Sequence, residues 1–87
     1  MFYTIESNGG YWAGVKQSAR RRAPSPFSLF RWDAETFQDF DMALAYAEIA
    51  MTYTPAEVVI IGRELASDSG EVCKRWPAES AATGNRE

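Results

Sequence analysis

Residues 42–62, "MALAYAEIAMTYTPAEVVIIG", decide the fold. The first half carries good helix formers with Ala43, Ala47 and Ala50 spaced at helical intervals, which predicts a helix able to approach a sheet closely. The carboxylates just upstream, Asp39 and Asp41, are each suited to cap its start and to face the positive end of its dipole. The helix is expected to run to about Tyr53, because Thr54 precedes Pro55 and a residue before proline avoids the helical region. The second half ends in Val58-Val59-Ile60-Ile61-Gly62, an uninterrupted apolar run of the kind that strands covered on both faces display. One helix followed at once by a central strand is the expected heart of the molecule.

Working back toward the start, "FYTIES" (2–7) and "YWAGVKQ" (11–17) are rich in aromatic and β-branched residues. They flank Asn8-Gly9-Gly10, which tolerates the positive φ of a tight turn, so a β-hairpin is expected. Gly14 inside the second strand suggests a bulge or a close backbone approach. Residues 18–26, "SARRRAPSP", read as a loop closed by two prolines, and 27–32, "FSLFRW", as a third strand. Toward the end, 63–71 reads as a polar loop, 72–76, "VCKRW", as a short edge strand, and 77–87 as a flexible tail. The expected fold class is α+β. A small, mainly antiparallel sheet of four strands, five if 72–76 pairs, carries one helix on one face in the order β-β-β-α-β(-β), within a single domain spanning 1–76. If the strands before and after the helix run parallel, their crossover is right-handed.

Composition narrows the function. The chain has 87 residues, of which 46% are hydrophobic and 14% aromatic, enough apolar surface to fold. It contains no histidine and one cysteine, Cys73. That removes the usual Ser-His and Cys-His nucleophile pairs, a structural zinc site and any internal disulfide, and points to a reducing compartment. Beside Lys74 and Arg75, Cys73 could carry a lowered thiol pKa, but no general base accompanies it, and a structural role is the simpler reading. No glycine-rich loop opens a helix in the manner of a phosphate cradle. No signal peptide or membrane-length apolar run is read. A non-enzymatic protein without cofactor or metal, located in the cytoplasm, is therefore expected.

Two charged groups are candidates for partner contact. Arg20, Arg21 and Arg22 form a run that can grip phosphates, anchor a protein contact or simply be solvated. Asp33, Glu35, Asp39 and Asp41 cluster before the helix beside Phe37, read as an exposed aromatic. Their spacing does not fit a calcium loop, and they read either as a solvated linker with a helix cap or as an acidic patch for a basic partner surface. A net charge of −3 argues against general affinity for nucleic acid. Leu44 and Met51 fall near the polar side of the helix and suggest rim packing or a small exposed strip.

The order of hairpin, third strand, alanine-rich helix and "EVVIIG", carried by 42–62 within residues 2–62, resembles small phage-encoded anti-CRISPR proteins that inhibit type I surveillance complexes. The resemblance implies a protein that occludes a nucleic-acid-binding or nuclease-recruiting surface of a bacterial complex, as a monomer or weak homodimer in the host cytoplasm. It implies no active residues. A nucleic-acid-binding module built on the sheet aromatics and Arg20–Arg22, and a structural or dimerising domain using an open sheet edge, remain open.

Overall fold

The computed structural model describes residues 1–20, 22, 25–65 and 67–78. The elements are β1 (Phe2–Ser7), β2 (Gly10–Trp12), α1 (Val15–Arg20), β3 (Phe27–Ser28), a 3-10 turn (Arg31–Asp33), α2 (Phe40–Met51), β4 (Val58–Arg63) and β5 (Glu71–Trp76). The five strands form one sheet in the order β3-β2-β1-β4-β5. Every neighbouring pair is antiparallel, so no parallel crossover arises.

The hairpin forms where the turn chemistry places it. Ser7 pairs with Gly10, and the two residues between, Asn8 and Gly9, take φ of 51° and 78°. Such angles match the twist of the flanking strands. β1 then runs its full length against β4, from Phe2 opposite Arg63 to Ser7 opposite Val58. This long register makes β1 and β4 the central pair, and α2 lies across both.

The helix begins at its expected cap: the Asp39 side chain accepts from the Asp41 backbone N–H at 3.1 Å. Ala43, Ala47 and Ala50 are fully buried against Ile5, Val58, Ile60 and Trp12. Alanine at the centre of the contact lets the backbone come close, and the larger side chains then work as flanks. Phe40, Leu44, Tyr46 and Met51 pack against the core from the sides, whereas Met42, Ile49 and Tyr53 stay exposed. Leu44 and Met51 are thus packing residues rather than an exposed strip.

Burial of β4 on both faces has two causes. The helix covers Val58 and Ile60, and the opposite face is covered by the chain around 31–36 and by the β4–β5 connection. Arg63 stitches that second layer together. It is buried, donates from Nη1 to Thr4 Oγ1 at 2.5 Å, from Nη2 to Glu6 Oε2 at 2.9 Å and from Nε to the Asp68 carbonyl at 3.0 Å. A buried guanidinium needs such acceptors and a paired charge. Gly70 lets the connection close over the sheet: its φ is 79°, and a Cβ there would stand 2.8 Å from the Gly62 carbonyl oxygen. Gly70→Ala is expected to cost about 2–3 kcal/mol from backbone strain and collision. At about 4–8 °C per kcal/mol for a domain of this size, a thermal melt should fall by roughly 10 °C or more.

Two expectations change. The second strand ends at Trp12, and Val15–Arg20 is a short helix where a strand and loop were expected. The switch occurs at Gly14, whose φ of 93° suits glycine. The third strand is Phe27–Ser28 alone, because the Ser28 hydroxyl accepts from the Phe30 backbone N–H and donates to Asp33 Oδ2. That local bonding turns the chain into the 3-10 turn. The strand expected at 72–76 is present as Glu71–Trp76, paired with β4 and irregular opposite Ile60/Ile61. Of the expected tail, residues 79–87 lie outside the described residues.

Candidate partner-binding surface

The stretch from Pro26 to Phe37 is tied to the sheet at several points. The Ala13 backbone N–H donates to the Pro26 carbonyl at 2.9 Å, the Glu35 N–H to the Trp12 carbonyl at 2.8 Å, and Phe37 and Tyr3 exchange bonds at 2.7 and 2.9 Å. Within the stretch, the Asp33 N–H donates to the Phe30 carbonyl and Ala34 to Arg31, both at 3.1 Å. Ser28 Oγ lies 2.6 Å from Asp33 Oδ2, and Arg31 donates to the Asp68 carbonyl.

Held by these bonds, the turn presents Leu29, Phe30 and Trp32 to solvent. Leu29 is 81% exposed and Trp32 79%, while Phe30 stacks on Trp32 with centroids 4.8 Å apart and planes at 20°. Scattered exposed apolar residues need no explanation, but the stacked Phe30–Trp32 pair, with exposed Leu29 next to it in sequence, is an apolar ledge on a pinned turn. Bonds that fix the backbone of the turn leave it less loop entropy to lose on binding.

The sequence-selected residues fall into separate places. Arg20, Asp33 and Glu35 come together, with Lys16, Trp12, Tyr46 and Ile49, around an open groove of about 600 Å³ between α1 and α2. Glu35 accepts from Trp12 Nε1 at 3.1 Å, and Asp33 bonds Ser28, so both carboxylates also have structural work. Glu35→Ala is expected to cost about 1–2 kcal/mol by leaving the buried indole N–H without its acceptor, visible as a lower denaturation midpoint with unchanged slope. Asp39 and Asp41 sit at the start of α2, both exposed, Asp39 as its cap. Phe37 corrects the reading of an exposed aromatic: it is buried in the core, its ring 5.1 Å from Tyr46, and cannot present itself to a partner. Arg22 is exposed with φ of 57°, and Arg21 lies outside the described residues.

Leu29, Phe30 and Trp32 were not selected from sequence, since "FSLFRW" alternates as a strand would. The available signal was a serine followed five residues later by an aspartate, a spacing at which Ser28 and Asp33 close the turn. Among the described residues, no group of three or more His, Cys, Asp or Glu is placed to hold a metal ion, and no helix is long and apolar enough to cross a membrane. The chain matches no family model, no curated protein and no solved structure.

Proposed function

We propose that this chain is a non-enzymatic, protein-binding inhibitor that docks through the Leu29–Phe30–Trp32 ledge. The exposure of three large apolar side chains on a turn pinned at both ends carries this reading. Hot spots of protein interfaces are enriched in such aromatic anchors, surrounded by groups that exclude water. The exposed carboxylates Asp39 and Asp41 and the arginines Arg20 and Arg22 would supply charge contacts around the anchor and fix its orientation.

The resemblance carried by residues 42–62 supplies the proposed target: a type I CRISPR surveillance complex in a bacterial cytoplasm, with a nucleic-acid-binding or nuclease-recruiting surface occluded. The test is retention of purified type I complexes on the immobilised chain, followed by target-DNA binding and nuclease recruitment in its presence. Retention with loss of either activity supports the proposal; failure of every complex to be retained removes the CRISPR target.

Nucleic acid is the second reading, favoured by the solvent-facing Trp32 ring and the exposed Arg20 and Arg22. It requires affinity for labelled single- or double-stranded DNA that falls steeply with salt. An absence of binding at low salt ends it.

A further inference from the structure

We infer that the cavity beside Trp32 is a binding site for a small molecule joining an apolar body to one carboxylate. The cavity lies between the sheet face opposite α2 and the chain at 31–36. It is an open cleft of about 340 Å³ lined by Phe2, Thr4, Trp32, Ala34 and Thr36, together with Arg31 and Arg63. Its size and its apolar walls with a few polar groups are those of small-ligand pockets, which begin at about 300 Å³.

The two arginines differ in what they have left to bind. Arg63 has its charge balanced: Glu6 pairs with it at 2.9 Å, and Thr4 Oγ1 and the Asp68 carbonyl take two more of its donors. Arg31 donates to the same Asp68 carbonyl and has no carboxylate partner among the described residues. The Asp68 carboxylate is engaged elsewhere, accepting from the Leu65 backbone N–H at 3.0 Å. A guanidinium carries five N–H donors in a planar fork that a carboxylate fills bidentately. A cation with no carboxylate partner among the described residues, at the wall of an apolar cleft, therefore selects an anion with an apolar body, such as an aryl or branched aliphatic carboxylic acid. The Arg31 and Arg63 side chains meet at one carbonyl, which holds the cationic wall in place before any ligand arrives.

This site goes beyond the proposed protein contact and does not depend on it, so it is tested on the full-length chain without partner. Phenylacetate, its neutral isostere phenylacetamide, and acetate are titrated while the Trp32 indole and the Phe2 and Ala34 amides are followed by NMR. Phenylacetate is expected to give saturable shifts, with phenylacetamide and acetate each binding at least about tenfold more weakly. Arg31→Gln should weaken phenylacetate about tenfold while the melting temperature moves by only a few degrees. If that variant does not fold, Arg31→Lys, which keeps the charge and loses the fork, should show a smaller but measurable loss. The inference is overturned if phenylacetate gives no saturable shift, if acid and amide bind alike, if acetate alone matches phenylacetate, or if the folded Arg31 variant binds as well as the parent.

Discussion

Trp12→Ala is expected to lower the melting temperature of the chain by at least about 15 °C, more than Gly70→Ala or Glu35→Ala. The indole is the largest of the fully buried side chains and joins parts that are far apart in sequence. Its ring meets Phe27 edge-on at 5.5 Å and Tyr53 at 5.9 Å, and its Nε1 donates to Glu35. Its own backbone carbonyl accepts from the Glu35 N–H. Removing the ring takes away packing against β3 and the end of α2, and strands a carboxylate. Phe or Trp to Ala in a core costs about 3–5 kcal/mol. A domain of this length holds roughly 4–13 kcal/mol in total, so one substitution consumes about a quarter of the stability or more. The melting temperature should drop by about 15–30 °C. Trp12→Phe keeps most of the ring and loses mainly the hydrogen bond, so a loss of about 1–2 kcal/mol is expected. A fall of less than about 5 °C for Trp12→Ala would mean that this tryptophan does not organise the core.

The Phe30→Ala/Trp32→Ala pair has the opposite character. Both rings are largely solvent-exposed, and the bonds that shape the turn run through Ser28, Asp33 and backbone groups. Folding stability should therefore change by no more than about 1 kcal/mol. Affinity for the partner should collapse, by at least about 100-fold, since each central aromatic anchor is worth about 2 kcal/mol or more. The two losses will not add, because the rings stack on each other and act as one surface. Melting curves beside binding titrations read both quantities on the same preparations.

Much of this architecture is legible in the chain, for reasons that differ by element. "VVIIG" reads as a central strand because an apolar run without alternation needs cover on both sides, and β4 has it. The hairpin follows from Asn8-Gly9, and the start of α2 from the Asp39 cap. The missed features depend on short or distant contacts. Val15–Arg20 spans six residues, too few for a helical period to stand out. Arg63 reads as the first residue of a polar loop, yet it ends β4, and what buries it is Thr4 and Glu6, 59 and 57 positions away. Phe37 reads as exposed among acidic neighbours, yet its backbone pairs with Tyr3 and that pairing carries the ring into the core.

The candidate surface was legible in part. Asp33 and Glu35 from the acidic group and Arg20 from the arginine run, which read in the sequence as two separate groups, line one groove, because α1, which was not foreseen, brings Arg20 there. The aromatic ledge escaped because strand alternation explained Leu29, Phe30 and Trp32 equally well. The hydroxyl of Ser28, acting over two and five residues, joins the backbone bonds of the 3-10 turn in ending the strand before them.

The most direct measurement is the affinity of an immobilised type I surveillance complex for the parent chain and for the Phe30→Ala/Trp32→Ala variant, with both shown to be folded. Tight binding of the parent and a loss of at least about 100-fold in the variant is the predicted result. Equal affinity of the two folded proteins would contradict the role assigned to the ledge.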